Sequence, residues 1–321
     1  MPTWGQILLE LQEEQRKTKQ LPFDSVRRRY LVALHEHTKR NTILYASKWT
    51  QPGAAKPELI TITDEDVQGL MEVIFELKTP ELDLVLHSPG GSPEATEAVV
   101  TYLRSKFNDI RVIIPQGAMS AATMLACAAN RIVMGKHSFI GPIDPQFILQ
   151  TPLGIQAVPA QAILDQFKRA QEECKDTKLL SSWLPILSQF GPALLVQCEN
   201  AIKLSQELVA NWLHAYMFAG KTPNPAGQIA EKLSSHGEFK SHGRHISLQA
   251  AREMGLVVEA LEDSHEFQEK ALSVFHATMH TFTGTPAVKI IENHLGRAFV
   301  KLQQQVIIQQ PAPVLEPKPK E

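Results

Sequence analysis

The segment from residue 82 to residue 146 most constrains the fold of this chain, because it contains two consecutive strand-turn-helix units. Apolar runs over residues 82–88 and 110–116 are each followed by a turn rich in small residues and then by a helical pattern. Such short apolar runs are typical of parallel strands that are covered on both faces. Strands that alternate with helices favour right-handed crossovers. The sequence therefore predicts an α/β fold with a mostly parallel sheet.

The size and charge of the chain indicate an ordinary globular protein. Its 321 residues are 43% hydrophobic, which is enough for a large buried core. Lys and Arg number 32 against 34 Asp and Glu, for a net charge of −2, so no basic field attracts nucleic acid. No apolar window is long enough to span a bilayer, and no signal pattern starts the chain. We expect a cytoplasmic protein without nucleic-acid partners or membrane association.

Metal, cofactor and disulfide signatures are missing from the sequence. The three cysteines are widely spaced and form no CxxC pair, which argues against a disulfide framework and a zinc knuckle. The twelve histidines include no HExxH motif, and neither GxGxxG nor GxxxxGK[ST] occurs. We predict that the protein uses no cofactor or metal, and that any ATP-driven step needs a separate partner.

The pattern along the chain indicates one main domain with additions at both ends. An amphipathic helix is predicted over residues 4–19, and a loop from residue 151 to about residue 160. Helices are also predicted over residues 263–281 and 286–308. We divide the chain into a helical segment, the main domain, C-terminal helices and a disordered Pro-rich tail, at residues 1–41, 42–262, 263–308 and 309–321.

Two turns at predicted strand ends carry the residue types needed for nucleophilic catalysis. In parallel sheets the functional groups collect at the carboxyl ends of the strands, where SPGG and GAMS both fall. Ser120 follows the second strand among small residues, at the start of a helix. The amides of Gly90 and Ala121 could point into one pocket as an oxyanion hole. From the residues alone, a serine at a helix start such as Ser120 is more often an N-cap than a nucleophile.

The segment HSPGGS, followed by GAMSAATMLACAANRIVMGKHSFIGPIDPQ, resembles the ClpP/crotonase superfamily of serine peptidases. It is most similar to the serine dehydrogenase proteinase family, which is related to ClpP and to signal peptide peptidase A. The resemblance extends from about Thr42 to Leu261. It implies a spiral of ββα units, here with added N- and C-terminal helices, and assembly into homo-oligomers. It also implies a nucleophile at Ser120, an oxyanion role for Gly90 and Ala121, and peptide or unfolded-protein substrates.

The resemblance also indicates an acid and a general base. The family's order of Ser, Asp and His along the chain is met by Ser120, Asp144 in GPIDPQ and His242 in KSHGRHIS. In this arrangement Asp144 fixes the tautomer of His242 and stabilises its protonated form. Individually, Asp144 could be a turn residue before a proline, and His242 a surface loop residue.

Four other residues enter the prediction in lesser roles. His245 is the first alternative base, and Lys168 and His137 are further alternatives suggested by lysine-using relatives and by closeness in sequence. His87, just before SPGG, is interpreted as a strand-end residue near the cleft that could contact substrate but is not the base.

Together these patterns predict a serine endopeptidase that is ATP-independent in itself and cleaves peptide bonds through an acyl-enzyme on Ser120. Two alternatives stay open at this level. One is a non-proteolytic scaffold in which the two turns bind a peptide or acyl carbonyl. The other is a crotonase-like acyl-CoA enzyme, since that fold shares the paired-amide oxyanion hole.

Overall fold

The computed structural model describes residues 3–51, 53, 55–151 and 154–303. Within these residues the chain forms twelve β-strands. In chain order they are β1 Asn41–Ser47, β2 Glu81–His87, β3 Asp109–Ile114, β4 Gly117–Ala118, β5 Arg131–Met134, β6 Phe139–Ile140, β7 Gln146–Thr151, β8 Gly154–Pro159, β9 Ile246–Ser247, β10 Val258–Ala260, β11 Ala287–Asn293 and β12 Ala298–Leu302.

The same residues form thirteen α-helices, and a π-helical segment, Leu213–Met217, extends the ninth. None of the helices in the described ranges is long and apolar enough to cross a membrane. The helices are α1 Trp4–Thr18, α2 Phe23–Thr38, α3 Pro57–Ile60, α4 Glu65–Ile74, α5 Pro93–Arg104, α6 Ala121–Cys127, α7 Ala160–Glu173, α8 Leu180–Leu187, α9 Leu194–Trp212, α10 Ala226–Ser234, α11 His236–Phe239, α12 Leu248–Glu253 and α13 His265–Gly284.

A seven-stranded sheet forms the centre of the molecule, with the strand order β10-β5-β3-β2-β1-β11-β12. The five strands from β10 to β1 pair in parallel, whereas β11 and β12 join antiparallel at the β1 side. Leu84 and Val112 point into a core shared with α5 and α6, and Val85 and Ile113 point into a second core under α2 and α13. The predicted α/β class with a mostly parallel sheet is confirmed.

The predicted helix over residues 286–308 is wrong for its described part, which is the hairpin of β11 and β12. All seven residues of β11 are buried, including Lys289, Glu292 and Asn293. These three polar residues lie inside the fold, where each has a polar partner. Gly296, at a φ of +88°, makes the turn between the strands. The strands complete the central sheet, and the predicted disordered tail lies outside the described residues.

The loop predicted from residue 151 to about residue 160 is also wrong for its described residues. Its residues belong to the two-stranded hairpin of β7 and β8, in which Thr151 pairs with Gly154. Gly154 has a φ of +106°, a value that L-residues rarely adopt, so this glycine permits the reversal of the chain. One face of the hairpin packs on α7 and α9 through Phe147 and Val158.

A buried ion pair joins β11 to helix α4. Lys289 Nζ lies 2.8 Å from both carboxylate oxygens of Asp66 and 2.6 Å from the Thr61 carbonyl oxygen. The Tyr45 hydroxyl donates to the same carboxylate at 2.7 Å. Burial lowers the pKa of Lys289 to about 8, so the ammonium group is still charged at neutral pH. The ion pair fixes the hairpin of β11 and β12 against α4, the helix that precedes β2 and the SPGG turn.

We expect Lys289→Met to lower the free energy of unfolding by about 3 kcal/mol, because it removes the nearest cation from the buried Asp66 carboxylate. The remaining cation, Lys301 Nζ, lies 3.7 Å from Asp66 Oδ1. Urea denaturation followed by circular dichroism measures this change. Arg169→Met is the control, since it removes an exposed pair with Glu173 and should change stability little. Equal stability of the two variants would contradict a structural role for the buried pair.

Candidate active site

A small second sheet, with the order β4-β6-β9, brings three distant segments of the chain together. β4 pairs in parallel with β6 through Ala118 and Ile140, and β6 pairs antiparallel with β9 through Ile140 and Ile246. The chain therefore leaves β4, leaves β6 and enters β9 at one edge of this sheet. Ser120, Asp144 and His242 follow or precede these strands by two to four residues at that edge.

The backbone of Ser120 has a conformation that L-residues rarely adopt, with φ 53° and ψ −124°. Ser120 is half-buried and directly precedes α6, but its side chain makes no hydrogen bond that caps this helix. The N-cap interpretation of Ser120 therefore lacks its defining contact. Strained positions of this kind are found mainly where a function requires them.

The two turns are joined by backbone hydrogen bonds. The amide of Ser88 donates to Gly117 O at 3.3 Å, and the amide of Met119 donates to Ser88 O at 3.0 Å. Gly90, with a φ of +97°, lies so close to the second turn that a Cβ there would be 2.6 Å from Met119 O and 2.9 Å from Ala121 N. Only glycine fits at this position without displacing backbone atoms.

The two predicted oxyanion amides differ in their hydrogen bonds. The amide of Ala121 begins α6 and donates to no acceptor among the residues that the structure describes. The amide of Gly90 donates to Ser88 Oγ at 3.2 Å, a long contact between residues two apart. A substrate oxygen would have to compete with this hydroxyl for the Gly90 amide.

Asp144 is the centre of a buried cluster of hydrogen bonds. Its side chain is 3% exposed, and Asp144 Oδ1 lies 2.7 Å from His242 Nδ1. Asp144 Oδ2 lies 3.0 Å from His236 Nδ1 and accepts a hydrogen bond from Gln146 Nε2 at 3.0 Å. A buried carboxylate needs such donors to compensate its lost hydration. The structure thus brings the predicted Asp144 and His242 into direct contact.

His236 belongs to this cluster although the sequence analysis did not select it. It opens the short helix α11, and nothing in the letters SSHGEF distinguishes it from a surface histidine. The only sequence signal is that it lies six residues before His242. Its place is set by tertiary structure, because the amide of Ile143 donates to Leu233 O at 2.9 Å and so ties the GPIDPQ segment to the end of α10.

The three alternative bases lie elsewhere. His137 precedes β6, at the end of the small sheet opposite Ser120, and its Nε2 contacts Pro115 O at 2.9 Å. His245 stacks on Phe139 with ring centroids 3.6 Å apart. Lys168 is an exposed residue of α7, a helix that packs against α9. Each of the two histidines is engaged in a contact outside the Asp144 cluster.

His87 is buried in the second core and does not line an open cleft. Its ring lies against Trp49 and Phe275, and His87 Nε2 contacts Thr50 Oγ1 at 3.2 Å. Burial lowers the pKa of His87 to about 3, so this imidazole is neutral at physiological pH. The expectation that His87 could contact substrate has no support in its surroundings.

Two features define the chemical state of the site. Within the ranges that the structure covers, the Ser120 hydroxyl makes no hydrogen bond to an imidazole. The same ranges hold no group of three or more His, Cys, Asp or Glu side chains arranged to bind a metal ion. The arrangement combines a strained serine, an unpaired amide beside it and a histidine-carboxylate pair at the same sheet edge.

Comparison with known proteins gives the family of this chain. The family described as ClpP-like SDH-type serine proteinase matches residues 53–269, which is more than half of the 321 residues. This chain belongs to the ClpP-like SDH-type serine proteinase family. Membership in this serine proteinase family gives the chain a ClpP-like fold and supports a peptidase.

Two archaeal relatives are themselves uncharacterised. Uncharacterized protein MJ1495 of Methanocaldococcus jannaschii is 32% identical over 200 residues, which cover 61% of this chain and 59% of that protein. Uncharacterized protein MJ0137 of the same organism is 28% identical over 199 residues, which cover 62% and 60%. The match thus spans about three fifths of the length of these relatives.

Solved structures also show similarity. A serine-to-alanine mutant of the 1510-N membrane-bound stomatin-specific protease matches with a TM-score of 0.39 and 15% identity, over 65% of this chain and 79% of that chain. A lysine-to-alanine mutant of that protease in complex with a substrate peptide matches with a TM-score of 0.40 and 16% identity, over 65% and 75%.

We expect Gly90→Ala to destabilise this SDH-type proteinase by more than about 2 kcal/mol, because the new methyl group collides with backbone atoms of the Ser120 turn. Gly296→Ala is the matched control. That glycine also has a positive φ, but its nearest neighbour, Arg28 Cδ, would be 3.7 Å away. Its cost should be about 1 kcal/mol. Chemical denaturation measures both, and equal losses would contradict the close approach of the two turns.

Proposed function

We propose that this chain is a serine endopeptidase that cleaves peptide bonds through an acyl-enzyme on Ser120. The observation that carries the proposal is the 2.7 Å contact between His242 Nδ1 and Asp144 Oδ1, at the sheet edge from which the strained Ser120 turn also emerges. Family membership supports the same chemistry.

In the acylation step, Ser120 Oγ attacks the carbonyl carbon of the scissile peptide bond. His242 Nε2 takes the hydroxyl proton, and the carbonyl oxygen gains negative charge. The amide of Ala121 is available to donate to this oxygen, and the amide of Gly90 can join it by giving up its long contact with Ser88. The intermediate then expels the amine, which receives the proton from His242, and an ester remains on Ser120.

In the deacylation step, a water molecule attacks the ester carbonyl carbon. His242 takes a proton from this water, and the same amides stabilise the second oxyanion. Collapse of this intermediate breaks the bond to Ser120 Oγ, which recovers its proton from His242. The carboxylic acid product leaves, and no cofactor or ATP enters either step.

Asp144 supports His242 in both steps. A carboxylate accepts hydrogen bonds only, so the contact with His242 Nδ1 requires the proton on that nitrogen. The Nε2 lone pair is then free to act as the base, and the buried charge of Asp144 stabilises the imidazolium that forms. Among the described residues, the Ser120 hydroxyl makes no hydrogen bond to His242. The proposal therefore requires this hydrogen bond to form when substrate binds, as is common at catalytic sites.

The remaining parts of the proposal rest on family membership. We propose that the substrates are peptides or unfolded proteins, and that the chain works in the cytoplasm as a homo-oligomer related to signal peptide peptidase A. Ser120 is half-buried in a folded domain, so an unfolded chain can reach it more easily than a folded protein can.

We expect a fluorophosphonate probe to label the wild-type protein and to leave Ser120→Ala unlabelled, since the probe bonds covalently to an activated serine. Ser264→Ala is the matched control. Ser264 also precedes a helix, and its hydroxyl caps α13 by accepting from the amide of Phe267 at 3.3 Å. Ser264→Ala should therefore lower the free energy of unfolding by about 1 kcal/mol and leave the labelling unchanged. Gel fluorescence measures the labelling, and a labelled Ser120→Ala protein would exclude this nucleophile.

We expect His242→Ala to reduce the hydrolysis of fluorescently labelled casein by at least about 10²-fold, because Ser120 then lacks its base. Lys168→Ala should keep near wild-type turnover, since Lys168 is an exposed residue of α7. Circular dichroism verifies that both variants fold. The reverse pattern, with Lys168→Ala inactive and His242→Ala active, would make lysine the base.

A further inference from the structure

Asp144 accepts hydrogen bonds from two histidines, and the proposed peptidase mechanism uses only one of them. His236 Nδ1 lies 3.0 Å from Asp144 Oδ2, whereas His242 Nδ1 lies 2.7 Å from Asp144 Oδ1. We propose that His236 is a positioning residue that holds the Asp144 carboxylate in the orientation that His242 needs. This inference rests on the proposed function, because it assigns His236 to the same site.

The two oxygens of Asp144 have different surroundings. Oδ2 is held by His236 from the start of α11 and by Gln146 Nε2 from β7, at 3.0 Å each. These two donors come from separate elements and approach one oxygen, which fixes the rotation of the carboxylate. Oδ1 contacts His242, the proposed base, at 2.7 Å.

His236 is well placed for this role because its backbone is anchored to the segment that carries Asp144. The amide of Ile143, one residue before Asp144, donates at 2.9 Å to the carbonyl of Leu233, three residues before His236. The imidazole of His236 is 19% exposed, and the carboxylate that it contacts is 3% exposed. The contact between His236 and Asp144 thus joins two segments that the backbone hydrogen bond already holds together.

Among the residues that the structure describes, no comparable backbone hydrogen bond ties the turn of His242 to another element. His242 lies in the turn between Lys240, which has a φ of 63°, and β9. The hydrogen bonds within this turn are local: the amide of Gly243 donates to Ser241 Oγ, and the amide of Arg244 donates to Ser241 O. Its imidazole is 25% exposed. The position of the base therefore depends on the orientation of Asp144, and through it on His236.

The charge state of the cluster follows from the same contacts. The ionised Asp144 accepts only, so both histidines carry their proton on Nδ1. Donation from His236 to Oδ2 leaves Oδ1 as the acceptor for His242. When His242 Nε2 takes the serine proton, the carboxylate stabilises the imidazolium through this contact.

The test compares His236→Leu with His236→Asn. Leucine removes the donor, whereas the asparagine amide nitrogen occupies nearly the position of Nδ1 and can donate to Oδ2. His214→Leu is the control for loss of a histidine, because His214 is an exposed residue of the π-helical segment. The measured quantities are the maximal rate and the half-saturating concentration of fluorophosphonate labelling, a reaction that forms the Oγ–P bond, expels fluoride and passes the serine proton to His242.

We expect His236→Leu to lower the maximal labelling rate by about 10-fold with little change in the half-saturating concentration, as removal of an orienting partner does elsewhere. His236→Asn should restore the rate to within about 3-fold of wild type, and His214→Leu should match wild type. By NMR, the low-field Nδ1 proton signal of His242, identified by its loss in His242→Ala, should weaken in His236→Leu and return in His236→Asn.

Three results would overturn the inference in distinguishable ways. Wild-type labelling and an unchanged proton signal in His236→Leu would exclude the positioning role while leaving Ser120 and His242 in place. A loss as complete as that of His242→Ala, without recovery in His236→Asn, would make His236 itself the base. A wild-type protein that the probe does not label would remove the proposed peptidase function and this inference with it.

Discussion

The site depends on the close contact between the SPGG and GAMS turns. Ser88 accepts from and donates to the backbone of the second turn, and Gly90 approaches it so closely that a Cβ would lie 2.6 Å from Met119 O. This contact aligns two strand ends of the central sheet and places Gly90 beside the strained Ser120 and the amide of Ala121. A serine alone at a helix start would have neither the strain nor the second turn.

The sheet that supports these turns is held by buried charges as well as by its apolar cores. Lys289 pairs with Asp66, Arg27 with Glu292 at 2.5 Å, and Arg111 with Asp83 at 2.7 Å. Each of these carboxylates is fully buried and has a second cation nearby, Lys301 for Asp66, Arg28 for Glu292 and Arg40 for Asp83. Loss of either cation leaves a buried charge only partly compensated. The first two pairs join α4 and α2 to β11, and the third joins β3 to β2.

The proposed base lies in a different structural setting from the proposed nucleophile. Ser120 lies between a strand and a helix of the main core, whereas His242 lies in a turn before the two-residue strand β9. The cluster around Asp144 compensates for this difference, because it joins α11, β7 and the turn through one buried carboxylate. In the proposed mechanism, substrate binding brings His242 into contact with Ser120.

The sequence by itself determined the alternation of strands and helices and the two turns, because these depend on local composition and spacing. The selection of Ser120, Asp144 and His242 rested on the resemblance to a known family. The sequence misled for residues 287–302, since the buried Lys289, Glu292 and Asn293 find partners that only the fold supplies. Only the tertiary structure brought His236 to Asp144, over a separation of 92 residues. A histidine carries no local mark of a partner that distant, so its contacts follow from the packing of α10 and the small sheet.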